Sequence, residues 1–510
     1  MARFARLAPL LCLSVLLWLS LAFPLSAADD DAGGKGAPAS EQSQKPTTPP
    51  NPLPAAVTTE QTLQLPDRTL HFKATAGAIR LSNAETGAPL ADVAYVYFQL
   101  EGTDPAKRPV TIAINGGPGA GSAWLDLGGL GPWRIPLLGE GRSAAANPVP
   151  MPNADTWLDF TDLVFIDPPG TGYSRILSSD ADVKKSFYSV DGDINTLSVV
   201  IRKWIDKYQR VDSPKFIVGE SYGGFRAPKL TNHLETHEGV GITGLVMVSP
   251  VLDFAWFDGE TNPMVYVTHL PSLVAAARDL KGPDPRKDLA DVEAYAAGPY
   301  IVDLLKGERD TQAVARISEQ VAKFTGLDPA LVRKLGGRVD SATFVRERNR
   351  ASGQVGSMYD ALTLGYDSYP HLARSDYPDP LLDVLRAPFA SAMTYVYENK
   401  LNWIVDARYE ILNDDVNRDW DWGKHQPAEA MDDLRHDLAL DSNLHATIVH
   451  GVTDQVTPYF ASKLLIDQVP PMGDPNRLKL VVLGGGHMVY ALDPSRAALR
   501  DAGKQLIESK

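Results

Sequence analysis

Phe216-Ile217-Val218-Gly219-Glu220-Ser221-Tyr222-Gly223-Gly224 is the stretch on which the fold turns. Three apolar residues run into a G-x-S-x-G pentapeptide, and a helix-like pattern runs out of it to Leu234. A strand that reverses into a helix within two residues forces a serine at the bend into a strained backbone state, and neighbours without side chains make room for it. A hydroxyl raised on such a bend is a candidate nucleophile, and the strand leading in separates this pattern from a chance glycine-serine turn.

Outward from Ser221, short apolar runs alternate with helical patterns. Val110–Ile114, Leu163–Ile166 and Leu245–Val248 read as buried strands beside Phe216–Val218. Ile194, Leu197, Ile201, Trp204, Ile205 and Tyr208 recur at helical spacing between them. Strand, helix, strand predicts an α/β fold, a mostly parallel central sheet flanked by helices. The patterns near residues 62–100, Tyr95 and Tyr97 among them, predict an antiparallel start. After residue 440 the alternation returns with strands at Ala446–Val449 and Leu478–Leu483 and a helix from Tyr459 to Asp467 between them. A last helix opens at Asp493-Pro494, with Asp493 as its N-cap. The domain division expected is therefore a core over 58–254, a largely helical cap insertion over 255–440 folded above the site, and the second part of the core over 441–510. An aromatic group in the insertion (Tyr395, Tyr397, Trp403, Tyr409, Trp420, Trp422) reads first as packing, with a substrate pocket as the alternative.

A serine nucleophile needs a base, and the base needs an acid to orient it. In a sheet of this kind they follow the serine in the order acid, then histidine. His487, in Gly484-Gly485-Gly486-His487-Met488, is the histidine that follows the last strand. Asp454 follows the preceding strand directly, whereas Asp467 and Asp474 fall in a helix and a Pro-Gly turn. His450 stands before the acid and reads as a strand-end residue. A tetrahedral intermediate also needs two fixed N–H donors. Tyr222, next after the serine, supplies one, and Gly117 in Asn115-Gly116-Gly117-Pro118-Gly119 supplies the other.

The bulk numbers bound the rest. The 510 residues are 44% hydrophobic and 22% charged with a net charge of −14, a solvated acidic surface unsuited to nucleic acid or anionic membrane. Arg3 and Arg6, the apolar run Leu7–Phe23 and the small residues Ser26-Ala27-Ala28 read as a signal peptide over 1–28, and so as export to the periplasm or beyond. An uncleaved anchor helix is the alternative; no later stretch is apolar enough to span a bilayer. Residues 29–57, poor in large apolar side chains, are expected to form a disordered linker. The single cysteine, Cys12, lies within the signal segment, so cysteine catalysis and disulfide stapling are excluded from the mature chain. No metal or cofactor is expected, since no His/Cys/Asp cluster has ligand spacing.

Taken together, four segments resemble the serine carboxypeptidase family (peptidase S10) of the α/β-hydrolase fold: Asn115–Gly119, Phe165–Ser174, Gly219–Gly224 followed by Pro228, and Gly486–Val489. The resemblance implies a peptidase that cleaves at the carboxyl end of peptides, works best in acid, and binds the terminal carboxylate through Asn115, Gly116 and Glu220. It implies no cofactor and a peptide as partner. The sequence departs from the pattern at Gly129, where the family has a second carboxylate-binding glutamate, at Ala113 and Ala120, which replace a tryptophan and a cysteine, and at Gly170-Thr171, which stand one place early. These departures leave room for an esterase or acyltransferase on the same triad. A proline-releasing aminopeptidase and a binding protein with a relict site are more distant alternatives.

Overall fold

A computed structural model describes residues 51–138, 149–373, 376–423 and 427–509. The expected signal segment and most of the expected linker lie outside the described residues. The linker's end does not: Leu53 is buried, its N–H donates to Asp92 Oδ2 at 2.8 Å, and Trp403 Nε1 donates to Ala55 O at 3.0 Å. One apolar side chain and two hydrogen bonds thus fix residues expected to be free, and ordered chain begins before residue 57.

The sheet path runs through nine strands: β1 (Val57–Gln64), β2 (Thr69–Ser82), β3 (Pro89–Leu100), β4 (Val110–Ile114), β5 (Asp162–Ile166), β6 (Lys215–Glu220), β7 (Gly244–Val248), β8 (His445–Gly451) and β9 (Leu478–Leu483). Their spatial order is β1-β2-β3-β5-β4-β6-β7-β8-β9, and the short strand Arg175–Ile176 pairs with β3 off this path. The β1-β2, β2-β3 and β3-β5 pairs are antiparallel; every later pair on the path is parallel. The crossing of β4 and β5 puts β4 beside β6, with Ile112 opposite Ile217.

Side chains alternate between the faces of a strand, so a strand buried on both faces must be apolar throughout. Phe216, Val218, Val246 and Val248 face one core, while Ile217, Leu245 and Met247 face the other. The helices α1 (Val190–Lys207) and α2 (Tyr222–His233) cover the second face. On the first face lies α5 (Asp493–Glu508), through Leu499, Leu506 and Ile507. Asp493 is the first residue of α5 rather than its cap; Leu492 holds the N-cap position and Pro494 follows in the first turn.

Between β7 and β8 the chain leaves the sheet. The segment expected to form a single cap divides instead among three cores. The helix α3 (Pro263–Ala277) and its neighbours build a third apolar cluster with Phe344, Tyr459 and Phe460. The helix α4 (Leu382–Asn399) packs into the first face of the sheet, where Phe389 lies 4.3 Å from the Trp124 ring. Trp420 and Met431 join the second face. The aromatic group divides in the same way. Tyr397, Trp403 and Tyr409 gather round Tyr173, Trp420 and Trp422 close on Tyr222, and Tyr395 is exposed.

Candidate active site

The parallel strands β4, β6, β8 and β9 end on one side of the sheet, and each runs into a candidate residue: Asn115, Ser221, Asp454 and His487. Ser221 takes φ 60° and ψ −121°, a region that residues with a side chain seldom occupy. Its N–H donates to Val248 O at 2.9 Å, which holds the bend against the neighbouring strand. The flanking glycines are required by space. A Cβ on Gly219 would lie 2.0 Å from Gly223 O, and one on Gly223 would lie 2.3 Å from Ile114 O.

Asp454 and His487 are both buried, and His487 Nδ1 meets Asp454 Oδ2 at 2.9 Å. Asp454 Oδ1 accepts the N–H groups of Val456 at 2.8 Å and Thr457 at 3.1 Å, so the carboxylate is held in a turn of its own making. Burial opposes charge on both groups. The pairing outweighs it, lowering Asp454 and raising His487 from their ordinary values, and Glu220 adds to the rise at His487. Among the described residues no hydrogen bond joins Ser221 Oγ to the imidazole. Bonds of this kind commonly tighten only when a substrate is in place.

The glycine loop after β4 lies against the start of α2. A Cβ on Gly116 would stand 2.5 Å from Tyr222 N and 2.7 Å from Gly223 N. Tyr222 is the first residue of α2, where backbone N–H groups have no acceptor within the helix. Gly117 is exposed beside it, with φ 99°. The loop is anchored from behind: Arg226 of α2 pairs with Asp193 of α1 at 2.6 Å and donates to Asn115 O. Asp167, in the segment after β5, accepts Ser122 N–H at 2.7 Å and Tyr409 O–H at 3.0 Å. Its carboxyl, pushed by burial to about 6, braces three loops together.

Glu220 is buried next to Ser221. Its Oε2 accepts from Asn115 Nδ2 at 2.9 Å and from Tyr490 Oη at 2.8 Å. Asn115 Oδ1 in turn accepts Leu125 N–H at 3.0 Å, which settles the orientation of the amide. His450 bonds elsewhere, its Nε2 on Ser462 Oγ at 2.8 Å and its imidazole lowered by burial to about 4.

Sequence reasoning missed four participants. Thr457 Oγ1 donates to Asp454 Oδ2 at 2.8 Å and lies 3.1 Å from His487 Nδ1. Ser249 Oγ donates to His487 O at 2.8 Å. Tyr359 accepts the His487 N–H at 2.6 Å, with its ring edge-on to the imidazole at 5.3 Å. Tyr490 is the fourth. Thr457 and Tyr490 each follow a chosen residue by three places, a spacing that could have flagged them; Ser249 and Tyr359 reach the site only through the fold.

The model of the serine carboxypeptidase family matches residues 66–268. Serine carboxypeptidase-like 17 of Arabidopsis thaliana is 25% identical over 214 residues, 40% of this chain and 46% of that protein. Serine carboxypeptidase-like 42 of the same plant is 27% identical over 225 residues, 39% and 43% of the two. The chain thus spans a little under half the length of these curated relatives. Among solved structures, a proline iminopeptidase of Mycobacterium smegmatis is 13% identical with a TM-score of 0.31, covering 88% of this chain and 97% of that one. A putative aryl esterase of Burkholderia cenocepacia is 15% identical with a TM-score of 0.34, covering 85% and 100%. The matched segment carries Asn115, Gly117, Glu220 and Ser221, while Asp454 and His487 lie beyond it. Residues 66–268, the part of the chain that carries the glycine loop and the nucleophile bend, are thus what is similar to the serine carboxypeptidase family.

Proposed function

We propose that this protein is an exported serine carboxypeptidase-like peptidase that works through an acyl-enzyme on Ser221. Ser221 Oγ attacks the carbonyl of the last peptide bond while His487 Nε2 takes its proton. Asp454 keeps Nδ1 protonated and stabilises the imidazolium as it forms. The N–H groups of Gly117 and Tyr222 receive the oxyanion. His487 then returns the proton to the departing amino acid, and water releases the shortened peptide by the reverse path. Asn115, Gly116 and Glu220 receive the terminal carboxylate. Two carboxyl groups attract only if a proton lies between them, and burial raises Glu220 toward keeping one. The observation that carries the reading is the buried 2.9 Å Asp454–His487 bond at the same sheet end as the strained Ser221. Export rests on the arginines, the apolar run and the small residues of the first 28 positions.

The test compares a peptide with a free carboxyl end, its C-terminal amide and a simple ester. The reading expects the free acid to be preferred over the amide; equal rates would contradict it. Gly129, which offers no second acid, favours one further reading, an esterase or acyltransferase on the same residues. Efficient ester turnover with no cleavage of the free-acid peptide is its signature.

A further inference from the structure

Glu220 receives two donors on one oxygen. Asn115 Nδ2 and Tyr490 Oη both point at Oε2, and among the described residues Oε1 has no hydrogen-bond partner. Tyr490 is fully buried and sits where two glycines leave space. A Cβ on Gly128 would lie 2.4 Å from its ring, and one on Gly129 would lie 3.0 Å from its Cβ. The tyrosine thus occupies the volume in front of 128–129 that any larger side chain there would claim.

We propose that Tyr490 is the residue that sets this site's preference for a carboxylate: with Asn115 it occupies Oε2 and so favours Oε1 for the carboxyl hydrogen of Glu220, a directed O–H donor for the terminal carboxylate of a peptide. A hydrogen on Oε2 would turn Tyr490 Oη from donor to acceptor and still face the Asn115 N–H, whereas a hydrogen on Oε1 leaves both donors their acceptor. The inference rests on reading Glu220 as the carboxylate-binding group, and Tyr490 acts through it as a positioning residue. The groups that face Glu220 are His487 and Asp454 from the loops after β9 and β8, Asn115 from the loop after β4, and Tyr490 itself. Burial raises Glu220 and Asp454 adds to the rise, while His487, Tyr490 and Asn115 oppose it. Loss of the Tyr490 hydroxyl therefore moves the Glu220 titration to higher pH.

The test uses wild type, Tyr490→Phe and Glu220→Gln, each checked for a cooperative thermal melt. Infrared difference titration follows the protonated carboxyl band that Glu220→Gln removes. In Tyr490→Phe its midpoint should rise by roughly half a pH unit or more; an unmoved midpoint overturns the proposal. In Tyr490→Phe the ratio of kcat/KM for the free-acid peptide to that for the ester should fall about tenfold, mainly through KM. In Glu220→Gln the amide oxygen takes both donors and its NH2 replaces the O–H, so the preference for the free acid should persist and lose its dependence on pH. Loss of that preference in Glu220→Gln, with retention in Tyr490→Phe, overturns the proposal. If wild type itself treats acid and amide alike, the peptidase reading fails and the substrate part of this inference with it; the infrared midpoint still decides whether Tyr490 controls Glu220.

Discussion

Ser221 holds its hydroxyl up at the cost of a left-handed backbone, and Asp454 and His487 form a buried pair beside it. An imidazole that must carry its proton on Nδ1 depends on its acid. Asp454→Asn should leave the fold intact and lower kcat by roughly 10³–10⁴, because the amide holds the wrong tautomer; stopped assays on an ester with the purified variant check this. Thr457→Val removes a 2.8 Å donor from Asp454 Oδ2 and should cost about 1 kcal/mol of transition-state stabilisation, a several-fold loss in kcat with little change in KM. A larger rise in KM than fall in kcat would show that Thr457 acts on binding instead.

The strand ends and the helix α2 were legible because their chemistry is local. An apolar run followed by Gly-Glu-Ser-Tyr-Gly carries both its strand and its turn within nine residues, and Gly486-His487 follows Leu478–Leu483 in the same way. The division of the insertion was not legible. Helical periodicity says which face of a segment is apolar but not which core that face joins, and α4 reads no differently from its neighbours before Phe389 meets Trp124. Leu53 escaped for a related reason: one leucine among prolines gives no pattern, and Asp92, Arg175 and Trp403, all far along the chain, hold its segment in place. If α4 belongs to the main core, Phe389→Ala should destabilise the whole protein by about 3–5 kcal/mol in urea unfolding, in one transition. A loss below about 1 kcal/mol, or a separate early transition, would make α4 part of a detachable cap.

Across the chain, sheet and loops bring two titrating groups of opposite demand to one place. The base must be neutral, so ester hydrolysis should rise with pH through the His487 value, which its pairing with Asp454 lifts above the ordinary imidazole range. Recognition of a free carboxylate needs Glu220 protonated, so cleavage of the free-acid peptide should also fall as pH rises through the Glu220 value, which burial lifts. A two-limbed profile for the acid and a single limb for the ester are expected; identical profiles would remove Glu220 from recognition. None of the described helices is long and apolar enough to cross a membrane, and under the proposed export the mature chain begins at Asp29, as N-terminal sequencing of the secreted protein would read. All of these expectations depend on one hydroxyl being activated by one imidazole. Intact-mass and peptide mapping after treatment with a fluorophosphonate test that directly. The account predicts one adduct, on Ser221, absent in Ser221→Ala and formed orders of magnitude more slowly in His487→Ala. An adduct that survives Ser221→Ala, or forms at the same rate without His487, would contradict it.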